Sequence, residues 1–217
     1  MNHLRKAFLI VAAGFVAASA VVFAEEGAKW NVASQTSDLT VYERLHKGSE
    51  LREFKAVGLI ARPPVVVWRV LDDVEEYPRF MPYVTEARVI SREKDSRVSY
   101  QCISPPLVGA RDYTVRVRCE TLRTPAGVIS YCNRWQAAND LGPAEKSGIT
   151  RVKVTEGSWL LEPTEDGKQT RATYCVFSDS AGSLPVSIRN AAGKTAIPKL
   201  FEAIRKQVQL GKYSKAQ

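Results

Sequence analysis

The order of periodicities along the chain predicts an α+β protein in which a curved antiparallel β-sheet wraps around a long C-terminal helix. Three observations carry this expectation. Residues 84–179 break into segments of strand-like alternation separated by turn residues, a short helical pattern follows Pro63-Pro64, and helical spacing returns after Gly182. A sheet bent around one helix encloses a cavity, so the pattern already suggests a protein with an interior space.

Residues 39–46 and 51–61 alternate and are rich in strand formers, and the chain turns between them at Gly48-Ser49. Pro63-Pro64 then opens a segment in which Val67, Val70, Leu71 and Val74 recur at helical spacing. Asp72, Asp73, Glu75 and Glu76 crowd its end, and Pro78 and Pro82 close it. No partner base or calcium-loop spacing accompanies these acids, so they read as a solvated helix end. Six strands are expected next, at 84–92, 97–103, 111–122, 127–137, 149–162 and 169–179. Pro105-Pro106, Gly109, Pro125, Gly127, Gly142-Pro143 and Glu165-Asp166-Gly167 punctuate most of the gaps. The last helix runs from about Pro185 to Leu210, with Ile197, Leu200, Phe201, Ile204 and Val208 on one stripe and a kink expected at Pro198.

At 217 residues, 45% apolar and 25% charged, the chain suits one globular domain and excludes disorder or a collagen-like fibre. Its net charge of +8 favours anionic partners. No RNP, zinc-finger or P-loop pattern is present, so a membrane surface is expected rather than nucleic acid. Only two histidines occur, and because His3 falls in the expected signal segment only His46 would remain after its removal, which rules out a multi-histidine metal site. No G-x-S-x-G elbow accompanies them. No metal, cofactor or catalytic residue is therefore expected.

Arg5 and Lys6 precede the nearly uncharged run Ala7–Ala24, and the small residue ending Val22-Phe23-Ala24 suits a signal peptidase. Cleavage after Ala24 and export, to the periplasm of a bacterium, is the first reading. An uncleaved anchor is the alternative, because the run is just long enough to span a bilayer. Cys102, Cys119, Cys132 and Cys175 contain no C-x-x-C pair. A hairpin centred near residue 125 would set Cys119 against Cys132, where a cross-strand disulfide and two buried thiols are both compatible with an exported protein.

Three segments then point to a family. Leu107-Val-Gly-Ala-Arg-Asp-Tyr113 followed by Val117-Arg118-Cys119, Glu145-Lys-Ser-Gly-Ile149 with Gly157-Ser-Trp-Leu-Leu-Glu-Pro163, and Gly182-Ser-Leu-Pro-Val-Ser-Ile-Arg-Asn190 follow in order. Together they resemble START domains, the lipid-transfer family related to the steroidogenic acute regulatory protein. The resemblance implies a helix-grip fold with a hydrophobic tunnel for one lipid. It also implies a gate made of Leu107, Val108, Gly109 and Ala110 and of the helix bearing Pro198. On this reading residues 1–24 are the signal peptide, 25–37 a lead segment, 38–211 the lipid-binding domain and 212–217 a tail. Cholesterol-handling members carry a buried carboxylate on the strand before the Arg-Asp strand, whereas residues 97–103 contain none, so sterol specificity does not carry over.

The expected ligand-binding residues are Trp68, Tyr100, Arg111, Tyr113, Tyr131, Trp135, Trp159, Phe177, Ile197 and Phe201. Aromatic and apolar side chains suit a lipid cavity and equally suit an ordinary core. Arg111-Asp112 could orient a headgroup or fasten the gate loop. Lys194, Lys199, Arg205, Lys206 and Lys212 make the last helix and its extension basic, which serves either docking on anionic membranes or solvation. The function expected is non-catalytic binding and intermembrane transfer of an apolar molecule by a monomer. The alternatives are a polyketide cyclase or aromatase of the same superfamily and a lipid-sensing subunit.

Overall fold

The structure, a computed structural model, describes residues 29–106, 109–164, 166–179 and 184–214. The expected signal segment 1–24 and gate residues Leu107 and Val108 lie outside the described residues. Ten strands form one antiparallel sheet with a single short parallel pairing. In chain order they are β1 (Asn31–Gln35), β2 (Leu39–Leu45), β3 (Arg52–Ile60), β4 (Val84–Arg92), β5 (Ser96–Ile103), β6 (Arg111–Arg123), β7 (Ile129–Ala137), β8 (Thr150–Arg151), β9 (Val154–Pro163) and β10 (Thr170–Asp179). The helices are α1 (Pro64–Asp72), α2 (Tyr77–Phe80) and α3 (Val186–Gln207).

The spatial order β1-β2-β3-β10-β9-β7-β6-β5-β4 joins the N-terminal meander β1–β3 to the last strand within the sheet, because β3 pairs with β10 from Phe54 opposite Val176 to Ile60 opposite Thr170. α3 lies in the concave face. Its stripe of Ile197, Phe201, Ile204 and Val208 is buried, as the periodicity predicts, and packs with Leu39, Phe54, Ile60 and Trp159. Gly58 of β3 allows the close approach: a Cβ there would stand 2.7 Å from the Phe201 ring. α1 starts with Pro64 at its first turn and buries Val66, Val67, Val70 and Leu71. The helix continues through Pro198 as one element.

Four expectations change. The lead segment 25–37 contains β1, a short, mostly exposed strand that pairs with β2, so the folded unit begins before residue 38. The single strand expected at 149–162 is two, because β6 exchanges partners. It pairs with β7 from Val115 onward and with β8 at Arg111 and Asp112. Asn139 fills the fork: its Oδ1 accepts from the Thr114 amide and its Nδ2 donates to the Val152 carbonyl, both at 2.8 Å. The helix expected beyond Pro64 ends at Asp72 and is followed by a 3₁₀ turn at Val74–Glu76 and by α2.

The Cys119–Cys132 disulfide is not formed. The β6–β7 loop holds five residues, Thr124–Val128, closed by the Thr124 and Val128 backbone with Gly127 at φ 81°. That length sets Cys119 opposite Asn133 and Cys132 opposite Glu120, so the two thiols point to opposite faces and all four cysteines are free.

Candidate functional site

Between α3, α2 and the strands β5, β6, β7, β9 and β10 lies a cavity of about 600 Å³. Its wall follows the period of the strands. On β6 it takes Arg111, Tyr113, Val115 and Val117, and on β5 Arg97, Ser99, Gln101 and Ile103. Trp135, Trp159 and Tyr174 form the far wall, and Thr195, Ala196, Ile197 and Leu200 of α3 form the cover. A second concavity of about 670 Å³, against Glu162, Thr164, Asp166 and Arg171 at the β9–β10 turn, is an open surface cleft.

Five of the ten expected ligand residues therefore border the cavity: Arg111, Tyr113, Trp135, Trp159 and Ile197. The other five are placed elsewhere by strand parity or by packing. Tyr100 lies between inward Ser99 and Gln101, so its ring points to the other face of the sheet. There its hydroxyl donates to Asp112 at 3.1 Å, and Arg88 and Lys146 cover the ring. Burial and the bond to Asp112 push its phenol pKa well up. Phe177 likewise faces away and stacks on His46 at 3.5 Å. Trp68 and Tyr131 stack on each other at 5.5 Å between α1 and β7, and Phe201 is core beneath Trp159.

Arg111 and Asp112 separate in the same way. Arg111 turns inward, donates to the Gly109 carbonyl at 3.0 Å, and has its pKa lowered by burial. Asp112 turns outward and takes a two-pronged contact from Arg151, at 2.7 and 3.1 Å, with both side chains more than nine-tenths buried. Of the expected gate, Gly109 adopts φ 78° and the Ala110 carbonyl accepts from the Thr150 amide, which ties this loop to β8.

At the rim, Lys199 donates to the Tyr83 hydroxyl at 2.8 Å, one residue beyond Pro198. Tyr83 holds φ 67°, a costly conformation for a side-chain-bearing residue. Most of the expected basic face is occupied: Arg205 pairs with Asp38, Lys206 with Glu202, and Lys212 with Asp73 and Glu76. Three of the four acids that read as a solvated helix end, Asp72, Asp73 and Glu76, thus serve as ion-pair partners. Asp72 also binds Arg92 and the buried Arg97.

Sequence reasoning missed Arg97, Ser99 and Asn133 as wall residues. Their inward parity with Tyr113 and Trp135 was the available signal. Among the described residues no Asp, Glu or His borders the cavity, and no group of His, Cys, Asp or Glu is placed to hold a metal.

A family model described as polyketide cyclase / dehydrase and lipid transport matches residues 60–205. The chain belongs to that family. It is 28% identical to the phosphatidylcholine transfer protein of Mus musculus, over 84% of this chain and 85% of that one. Its fold matches a STAR-related lipid transfer protein fragment from Xanthomonas axonopodis with a TM-score of 0.74 at 24% identity, covering 83% of this chain and 99% of that one. Human StAR-related lipid transfer protein 5 matches with a TM-score of 0.71 at 17% identity, over 86% and 88% of the two chains. The START-type helix-grip fold expected from the three sequence segments is the fold observed.

Proposed function

We propose that the protein takes one lipid or lipid-like amphiphile into the cavity and carries it between membranes without altering it. The observation that carries this reading is a cavity of about 600 Å³ with a mainly aromatic and aliphatic wall and, among the described residues, no carboxylate or histidine on its lining. That volume lies within the roughly 300–1,000 Å³ of sites that enclose a single small ligand. General acid–base work needs a group that exchanges protons near neutrality. The tyrosines of the wall move the other way, since burial pushes Tyr77 up to about 12 and raises Tyr113 and Tyr174 further. This weighs against the cyclase reading, and the similarity to phosphatidylcholine transfer protein over most of both chains weighs for transfer.

The Gly109–Ala110 loop and the first half of α3 form the gate in this reading. Membrane contact belongs to that half of α3, where Ile188 is exposed and Lys194 has no ion-pair partner among the described residues, rather than to the paired Arg205, Lys206 and Lys212. In this reading the protein is exported to a bacterial periplasm, a reading supported by the basic start and apolar run of residues 5–24. The test is lipid extraction from the natively purified protein followed by transfer of a fluorescent lipid between vesicles. Bound lipid and protein-dependent transfer are expected, and Ala196→Trp, which fills the cavity from α3, should abolish both. A chemically changed product would overturn the reading in favour of catalysis.

A further inference from the structure

The large rings of the cavity wall are stopped from behind. Trp135 of β7 stands opposite Gly157 of β9, which shares the inward face with Thr155 and Trp159. The Trp135 ring folds over that glycine to stack on Tyr174 at 5.7 Å, and a Cβ on Gly157 would collide with the ring. Phe54 of β3 meets α3 in the same way, since a Cβ on Gly193 would collide with its ring. Trp159 leans on Phe201 at 5.4 Å, and Phe201 is itself seated on Gly58. Tyr77 is fixed by its hydroxyl, which donates to the Leu71 carbonyl at 2.6 Å, and by edge contact with Phe80. A ring pressed against bare backbone has no space to withdraw into, so the cavity widens only if a strand or α3 moves.

A wall that does not yield turns volume into a rule of selection. About 600 Å³ accommodates roughly 20 methylene-sized groups at ~30 Å³ each, the share of one water. One chain of about 16 to 18 carbons with its polar end fills that space. Two such chains need roughly 1,000 Å³ before any headgroup is counted. The surplus chain of a two-chain lipid would stand in water, so such a lipid is better left in its bilayer.

We infer that the protein selects single-chain amphiphiles, and that the glycine-seated rings of Trp135 and Phe54 set this limit. The inference rests on the lipid-carrier reading and specifies its ligand by the number and length of its chains. Native mass spectrometry of the delipidated full chain tests it, after incubation with vesicles containing equal amounts of oleic acid, oleoyl lysophosphatidylcholine and dioleoyl phosphatidylcholine. The last two share a headgroup, so only the second chain separates them. Complexes with single-chain ligands should outnumber those with the two-chain lipid at least about tenfold. In a series of straight-chain fatty acids from about 12 to about 24 carbons, affinity should rise with length and level off near about 18, once the cavity is full. Trp135→Ala removes a ring and should move that plateau up by roughly four carbons. Gly193→Ala pushes the Phe54 ring inward and should move the plateau down. Because alanine suits a helix better than glycine, this second variant keeps the test open should Trp135→Ala fail to fold. Dioleoyl phosphatidylcholine bound as well as its lysolipid, affinity still climbing at the longest acids, or a plateau that neither variant moves would overturn the inference. If no chain of any length binds, the carrier reading itself falls.

Discussion

Arg111 and Asp112 are neighbours in the chain that act on opposite faces of β6, and the division explains what each can do. Asp112 belongs to the outer lock with Arg151 and Tyr100, in which every partner is buried. Asp112→Ala leaves the Arg151 charge in place without its counter-charge, and should cost about 3–5 kcal/mol of stability in denaturant unfolding. Arg111 contributes to the cavity wall instead, so Arg111→Met should lower stability far less. The dipeptide was conspicuous in the sequence, but its division of labour depends on which way β6 faces. Given one inward residue, parity assigns the rest: Tyr113 and Trp135 follow inward, Tyr100 and Phe177 outward. Ser99 and Asn133 were passed over for a different reason, since serine and asparagine on a strand ordinarily mark a solvated face and outweighed the parity signal.

Among the elements, those with strong period and clear punctuation were legible: β3 to β7, β10 and the stripe of α3 all lie within a few residues of their expected bounds. β1 escaped notice because a five-residue edge strand with a mostly exposed pattern has little hydrophobic signal. The partner exchange of β6 escaped because it depends on Asn139, distant in sequence from the strands it joins. The element that the proposed gate depends on most is the middle of α3, where Pro198 removes one helix hydrogen bond and Lys199 reaches Tyr83. Tyr83→Phe deletes that contact alone. Thermal stability should stay within about 1 kcal/mol of the parent, as for one solvent-accessible hydrogen bond. Ligand release, followed by stopped-flow fluorescence, should accelerate; an unchanged rate would assign the gate to the Gly109–Ala110 loop.

For the whole molecule, the tyrosines that line one interior make alkaline stability a collective property. Burial raises the pKa of Tyr77 to about 12 from an ordinary 10, and raises Tyr113 and Tyr174 as well. A raised phenol favours the fold in its neutral form. Its contribution is thus complete below pH 10 and is lost as pH climbs through 10 toward 12 and beyond. Tyrosinate absorbance should accordingly appear in two stages, exposed rings first and the buried set together with loss of the fold. Ten strands nevertheless leave the sheet open, with β1 and β4 as its two rims. Both rims are irregular: β1 shifts register between Val32 and Ser34, and β4 between Val84 and Glu86 and again between Val89 and Ser91. Each shift interrupts the row of unpaired amides and carbonyls that another chain would need as a template, and Glu86, Arg88 and Arg92 place charge along the β4 rim. If the interior is alternately filled and emptied, as the proposed carrier function requires, these rims guard the molecule against edge-to-edge aggregation at the moment its packing is loosest.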